Sequence, residues 1–161
     1  MHELPHTAGC LACGRSNPHG LHLCLFVDRN GVVHTTYTPL PQHIGFSGIV
    51  HGGALATAVD EAMVWAATWS YKRFCFCAEL TVRYKVPAQV GQSLRIEAAV
   101  ESSRPRLTMT TARVLGAEDV LVCEAAAKYV PLSPEQNAAM IATLVDEPRT
   151  ADTARILRTS V

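Results

Sequence analysis

Residues 48–69 of the chain have the sequence GIVHGGALATAVDEAMVWAATW, which contains the clearest helix signal in the protein. From Gly52 to about Trp69 the side chains are small or apolar in nearly every direction around a helix, and only Asp60 and Glu61 interrupt the pattern. A helix that is apolar nearly all round is typical of one surrounded by protein. The stretch therefore predicts one long helix at the centre of the fold.

Segments with the features of β-strands lie on both sides of this helix. Residues 79–86 alternate polar and apolar side chains, as a half-buried strand does. The predicted strands are residues 21–27, 32–37, 74–86, 93–102, 107–115 and 120–130. Short turns at Gly91-Gln92, Arg104-Pro105 and Gly116-Ala117 indicate that the later strands are antiparallel neighbours. We predict an α+β fold in which about six antiparallel strands wrap around the one central helix.

The two ends of the chain differ in composition from its middle. Residues 1–19 are rich in Gly, Pro, His and Cys without periodicity, and they predict an irregular N-terminal arm. Ser133-Pro134-Glu135 combines an N-cap, a first-turn proline and an early acid, which predicts the start of a second helix. We expect an arm at residues 1–19, a main domain at residues 20–132, and a C-terminal helix and tail at residues 133–161.

Composition excludes several classes of function. The 161 residues are 48% hydrophobic and 17% charged, and 14 Lys and Arg balance 14 Asp and Glu. A neutral balance argues against a nucleic-acid partner and leaves little repulsion between copies, so self-association is expected. The N-terminus lacks the basic and apolar regions of a signal peptide, and no apolar run reaches the roughly 18 residues of a membrane span. We expect a cytoplasmic protein with reduced cysteines and no membrane partner.

Asp60 and Glu61 need an explanation, because burying a carboxylate without a partner is costly. Adjacent helical residues point about 100° apart, so the two acids do not share one face of the helix. One acid would then face the core or a subunit interface, and the other would reach solvent or a basic residue. A structural ion pair with an arginine such as Arg83 explains a buried acid here as well as a catalytic role does.

His51-Gly52-Gly53 opens the helix and leaves backbone N–H groups uncovered at the positive end of its dipole. Such donors bind an anion or polarise a carbonyl oxygen, although a Gly-Gly pair also suits an ordinary tight loop. Asp60 follows His51 by roughly 13 Å along the helix axis, at about 1.5 Å per residue. If both ends act on one carbonyl, a second copy of the chain must supply one of them. The site would then lie between two subunits.

The motif His51-Gly52-Gly53-Ala54 running to Asp60, followed by ELTVRYKVP at residues 79–87, resembles the hotdog-fold acyl-CoA thioesterases of the phenylacetate (PaaI) type. The resemblance covers about residues 20–132. It implies the hotdog fold, a homodimer or a dimer of dimers without a cofactor, and hydrolysis of an acyl- or aryl-CoA thioester to the free acid and CoA. It also implies that the Gly52 amide polarises the thioester carbonyl and that Asp60 of the facing subunit acts as nucleophile or general base. His51 is expected to belong to the catalytic group with Asp60 and Gly52, where it would shape the entry to the helix and hydrogen-bond to nearby backbone.

Two positions depart from that family. Relatives often carry an asparagine six residues before the histidine, where this chain has Gly45, and a serine or threonine near the start of the strand after the helix, where our alignment places Cys77. Both differences affect the positioning of the attacking water, and they predict slow turnover or an altered substrate. The residues expected to contact substrate are Gly53, Gly45, Glu61, Cys77 and Arg83, and Glu61 is the alternative acid if Asp60 is structural.

Three other functions remain open from the sequence. Gly45 and Cys77 would suit a non-catalytic acyl-CoA or lipid-binding hotdog protein. A hotdog hydratase or dehydratase usually requires an Asp/His pair close together on one chain. A zinc-stabilised interaction protein would rest on Cys10 and Cys13, which supply two ligands where zinc sites usually need four. Candidates for completing that set are His19, His22 and Cys24. We expect no metal, and we expect these cysteines to pack the arm onto the domain.

Overall fold

The computed structural model describes residues 1–159. Among these residues, seven antiparallel strands form one sheet in the order β1-β2-β3-β5-β6-β7-β4, and one long helix packs against its face. The strands are β1 (His2–Glu3), β2 (Leu25–Val27), β3 (Val33–Tyr37), β4 (Cys75–Tyr84), β5 (Leu94–Arg104), β6 (Leu107–Leu115) and β7 (Leu121–Pro131). The helices are α1 (Gly52–Tyr71), α2 (Pro134–Ile141) and α3 (Ala151–Thr159). The predicted α+β hotdog arrangement of an antiparallel sheet around a central helix is confirmed.

The N-terminal part of the sheet differs from the prediction. The arm contributes the two-residue strand β1, which pairs with β2. Strand β2 is shorter than predicted, because Leu21 and Leu23 donate their amide hydrogens to the carbonyls of Leu11 and Ala12. These residues therefore join the arm rather than the sheet.

Strand β4 occupies a different place from the one its turn predicts. The turn at Gly91-Gln92 predicts that β4 and β5 are neighbours, and this is wrong. Strand β5 pairs with β3 on one side and β6 on the other, so β4 crosses to the far end and pairs with β7. Antiparallel pairing across the other two turns is confirmed. Beyond β4 no further strand of residues 1–159 pairs, and its outer edge is open.

The core lies between α1 and the inner face of the sheet. Along α1 the fully buried residues include Ala58, Val59, Ala62 and Met63, whose small or flexible side chains allow the helix to approach the sheet closely. Arm residues from the Cys10–Cys13 region pack on the same core from another side. Because the sheet packs against one side of α1 and the arm against another, the helix is apolar in nearly every direction.

The C-terminal segment folds back on the arm. Helix α2 begins at the predicted cap, where the Ser133 hydroxyl accepts from the Gln136 amide and the Gln136 side chain accepts from the Ser133 amide. Helix α3 buries Leu157, and the Thr153 hydroxyl donates to the Glu3 carbonyl at 2.6 Å. Within the described part of the chain, no helix combines the length and apolar character needed to cross a bilayer.

Candidate active site

The first turn of α1 presents a free amide donor. His51 is the N-cap, and its Nδ1 atom accepts a 2.9 Å hydrogen bond from the Gly53 amide. A Cβ atom on Gly53 would lie 2.9 Å from the same nitrogen, so a side chain here would displace the His51 ring from its capping position. The amides of Ala54 and Leu55 bind the His51 carbonyl. The Gly52 amide donates to no group among residues 1–159, and it therefore remains available to a ligand.

The loop before the helix packs tightly at Gly45. Its amide donates to the Ile49 carbonyl at 2.8 Å, and a Cβ atom at this position would lie 3.0 Å from Cα of His51. An asparagine here would force the loop away from His51. Glycine at position 45 therefore allows the loop to lie close to the start of α1.

A cleft of about 290 Å³ opens beside the Gly52 backbone. The Tyr84 hydroxyl forms one wall and donates to the Gly52 carbonyl at 2.7 Å. Lys85 also lines the cleft, and its ammonium group forms an ion pair with Glu124 at 2.8 Å. The remaining lining residues are mainly apolar: Ile49, Val50, Leu55, Val86, Pro87 and Ala88. The cleft suits an apolar chain whose carbonyl lies at the helix start.

Asp60 lies on the face of α1 that meets β4 and β7. Its Oδ1 atom accepts a 2.6 Å hydrogen bond from the hydroxyl of Tyr129, which is fully buried. Burial and the neighbouring carboxylate raise the pKa of Tyr129, so the phenol stays protonated and donates. Cys77 lies beside this pair, and burial together with the Asp60 charge raises its pKa to about 11. Arg83 is exposed and forms no ion pair with Asp60 in the described residues, so Asp60 has a phenol as its partner.

Tyr129 is the site residue that the sequence analysis missed. The inward-facing positions of β7 before it are Cys123, Ala125 and Ala127, and all three are small. Tyr129, which is large and carries a hydroxyl group, follows this series of small residues. That contrast was a signal in the sequence, because a buried phenol usually has a hydrogen-bond partner.

Glu61 faces the arm, away from Asp60. Its Oε1 atom accepts a 2.9 Å hydrogen bond from Nε1 of Trp65, and both carboxylate oxygens lie 3.9 Å from Sγ of Cys10. Burial and the charge of Cys10 raise the pKa of Glu61 to about 7. The prediction that the two acids point in different directions is confirmed, and Glu61 does not join Asp60.

Gly52 and Asp60 lie near opposite ends of β4. Gly52 contacts Tyr84 at the C-terminal end of the strand, and Asp60 neighbours Cys77 close to its N-terminal end. The two strand positions are separated by about 23 Å at the usual rise of a strand. Within one chain, the Gly52 amide and the Asp60 carboxylate are therefore associated with opposite ends of β4.

Residues 47–123 match the family model of the thioesterase superfamily, and this segment contains α1 and the edge strand β4. The middle of the chain is thus similar to the thioesterase superfamily over a little less than half of its length. The antiparallel sheet around α1 agrees with this similarity.

Three known proteins are similar to this chain in sequence or in fold. Acyl-coenzyme A thioesterase THEM4 of Xenopus laevis is 29% identical over 120 residues, which are 71% of this chain and 52% of THEM4, so the chain spans about half the length of that relative. The E. coli PaaI protein of the phenylacetic acid degradation operon has a TM-score of 0.65 at 18% identity, covering 70% of this chain and 81% of PaaI. A Streptococcus mutans protein bound to acetyl CoA has a TM-score of 0.64 at 15% identity, covering 69% of this chain and 89% of that one. The two structures share the fold.

The family match covers only part of the site. It includes Gly52, Asp60 and Cys77, but it begins after the arm and ends before Tyr129. The partner of the Asp60 carboxylate and the residues facing Glu61 are therefore features of this hotdog protein that the family model does not describe.

Proposed function

We propose that this protein hydrolyses an acyl- or aryl-CoA thioester to the free acid and CoA. The observation that carries the proposal is the unpaired Gly52 amide at the start of α1, together with an Asp60 carboxylate held from one side by Tyr129. An amide at a helix start stabilises negative charge on a carbonyl oxygen, and an oriented carboxylate attacks a carbonyl carbon or takes a proton from water. These are the two groups that thioester hydrolysis requires.

Pairing of two copies through β4 would bring together the Gly52 amide of one copy and the Asp60 carboxylate of the other, which we call the two half-sites. The strand presents an open edge with two exposed aromatic side chains, since Phe76 is 51% and Tyr84 is 50% exposed. An antiparallel pair with its twofold axis between Leu80 and Thr81 places Cys77 of one copy opposite Tyr84 of the other. Asp60 of the first copy then approaches Gly52 of the second. The active unit is accordingly a homodimer, which a second pairing can extend to a homotetramer.

The reaction proceeds at a thioester bound between the two subunits. The Gly52 amide of one subunit binds the carbonyl oxygen, and Asp60 of the other subunit acts as the nucleophile or activates water. The carbon–sulfur bond breaks after attack, CoA leaves as its thiolate, and water supplies the hydroxyl group of the acid. The apolar cleft beside Gly52 holds the chain next to the carbonyl, and Lys85 supplies a cation at its rim. CoA as the substrate carrier agrees with the acetyl CoA bound to the Streptococcus mutans protein.

A non-catalytic acyl-CoA-binding protein is the second candidate, and Cys77 favours it. A neutral thiol beside Asp60 is a weak hydrogen-bond donor and holds water less firmly than a hydroxyl does. The hydratase alternative finds no support in the contacts of Asp60, because no histidine of residues 1–159 hydrogen-bonds to it. The hydrolase and the non-catalytic binding protein differ in whether CoA is released from the bound acyl-CoA.

The test measures free CoA, as thiol, from a panel of aryl-, short-chain and long-chain acyl-CoAs. Asp60→Asn keeps an oxygen that accepts the Tyr129 hydrogen bond, so the variant should fold, and we expect its rate to fall by about 100-fold or more. The matched control is Asp119→Asn, at an exposed turn before β7, which should keep the wild-type rate. Release of CoA from no substrate, with binding still measurable, contradicts the hydrolase and supports the binding protein. Equal rates for Asp60→Asn and wild type contradict the mechanism alone.

A further inference from the structure

Three potential metal ligands from distant parts of the chain meet between the arm and α1. The sulfurs of Cys10 and Cys13 and a carboxylate oxygen of Glu61 all lie within 4.8 Å of one another. Cys13 is almost fully buried, and Cys10 and Glu61 are half-buried. His19, His22 and Cys24, which the sequence offered as further ligands, are not in this group among the described residues. The third ligand is the helix carboxylate.

The turn that carries the two cysteines is built around a sulfur. The Ala12 amide donates to Sγ of Cys10 at 3.3 Å, and the Gly14 amide donates to the Cys10 carbonyl at 3.0 Å. A Cβ atom on Gly14 would lie 2.4 Å from the Cys10 nitrogen and oxygen, so only glycine closes the turn. The turn therefore holds Sγ of Cys10 in a fixed position beside Glu61.

The carboxylate of Glu61 faces the two cysteine sulfurs without a compensating positive charge. Its hydrogen-bond donors are the indole of Trp65 and the thiol side chains of the turn, and no basic side chain of residues 1–159 forms an ion pair with it. Each of the three groups becomes negative when it ionises, and buried charges of one sign are unstable together. A divalent cation between them would remove this repulsion, and the alternative is that protons stay on the groups.

We propose that Cys10, Cys13 and Glu61 bind a zinc ion that fastens the N-terminal arm to the middle of α1. Thiolate ligands favour zinc over calcium or magnesium, which prefer oxygen. In tetrahedral zinc sites a sulfur and an oxygen ligand lie about 3.6 Å apart, from bond lengths of about 2.3 Å and 2.1 Å. The separation of 3.9 Å between Cys10 and Glu61 is close to that value. Water fills the fourth position, and the Trp65 N–H orients the carboxylate from behind, as outer partners of metal ligands do.

Metal analysis of the full-length protein, purified without chelator, tests the site. We expect one zinc per chain in the wild type and a loss of most of it in Cys13→Ser and Glu61→Gln. The matched control is Cys24→Ser, because Cys24 is exposed on the same N-terminal segment and lies outside the cluster. Trp65→Phe, which removes only the N–H to Glu61, should weaken zinc binding by about tenfold. Equal zinc content in wild type, Cys13→Ser and Glu61→Gln would overturn the proposal.

A spectroscopic measurement keeps the test independent of folding defects in the variants. Wild-type protein stripped of metal and loaded with Co²⁺ should show thiolate-to-cobalt charge-transfer absorption and tetrahedral d–d bands, both displaced by zinc. Stripping should also lower the melting temperature, and zinc should restore it. Absence of these bands, with no zinc bound after reconstitution, would mean that protons neutralise the cluster. A count of two fewer free thiols than the six cysteines, under denaturing conditions, would instead indicate a Cys10–Cys13 disulfide and also contradict zinc binding.

Discussion

The Tyr129 hydroxyl lies 2.6 Å from Oδ1 of Asp60 and donates a hydrogen bond to it from the buried end of β7. This contact fixes one oxygen of the carboxylate. Cys77 lies on the same side of the carboxylate, so the surroundings of Asp60 combine a phenol and a thiol. Tyr129 is thus a positioning residue in the proposed hydrolase, since it acts on substrate through Asp60.

Tyr129→Phe should lower kcat with little change in KM. A hydrogen bond to a charged group contributes about 1.5–3 kcal/mol, which corresponds to a fall of about 10- to 100-fold if it is used in the transition state. Steady-state kinetics on the best acyl-CoA of the panel measure this. Tyr71→Phe is the control, because Tyr71 donates to the Arg104 carbonyl away from Asp60. An unchanged kcat would show that the carboxylate keeps its orientation without the phenol.

Cys77→Ser should increase kcat. A serine hydroxyl forms stronger hydrogen bonds to water and to Asp60 than the neutral thiol does, so it should hold the attacking water better. We expect an increase of several-fold, measured on the same substrates. Cys75→Ser, a neighbouring buried cysteine on the same strand, is the control. A decrease in kcat would indicate that this chain uses the thiol itself.

His51→Ala should reduce stability by about 1 kcal/mol, because it removes the acceptor for the Gly53 amide. His51→Asn should keep most of that stability, since asparagine is also a good N-cap. Urea denaturation measures both variants, and the thioesterase assay is run in parallel. If His51 only caps the helix, His51→Asn keeps its activity. Loss of activity with normal stability would instead assign His51 a direct role in the reaction.

Thr81→Glu should dissociate the proposed dimer. Thr81 is exposed near the centre of β4, and in the proposed pairing it lies opposite Leu80 of the other copy, so a glutamate there would place a charge against an apolar side chain in the interface. Light scattering after size exclusion should show a monomer, and CoA release should fall with it because the half-sites separate. Thr111→Glu makes the same change on the exposed face of the interior strand β6. A dimer that persists in Thr81→Glu would place the subunit contact elsewhere.

Gly14→Ala should destabilise the protein by about 1–3 kcal/mol, because its Cβ atom overlaps the Cys10 backbone. Gly9→Ala lies five positions earlier on the same arm, where a Cβ atom meets nothing within 4 Å, and should change stability by less than about 0.5 kcal/mol. Hydrogen exchange of the arm amides and urea denaturation distinguish the two. Similar effects for both variants would mean that the turn adapts to a side chain.

The sequence predicted the parts of the fold that depend on local pattern. The long apolar helix, the alternating strands and the Ser133 cap follow from side-chain periodicity and capping chemistry, and all were confirmed. Strand order is not a local property. The partner of β4 depends on which edges of β5 are already occupied, and a short turn at Gly91 carries no information about that.

The candidate site likewise has one part that local sequence predicts and one part that it does not. The pattern at residues 51–60 predicts a helix start with free amides and a carboxylate farther along the helix, and the geometry of Gly52 and Asp60 agrees. Tyr129 is distant in sequence and reaches Asp60 because α1 packs against β7. The contact between Glu61 and Cys10 joins residues 51 positions apart, and no spacing rule predicts it.

Asp60 and Glu61 are consecutive in the chain but point into separate environments on either side of α1. Substitutions around one acid can therefore be selected without altering the contacts of the other. A library designed for new acyl specificity would vary the β4 side and the cleft, and would leave the arm as a constant scaffold. A library designed for thermal tolerance would vary the arm. The two libraries would therefore vary different residues, although Asp60 and Glu61 are adjacent in the chain.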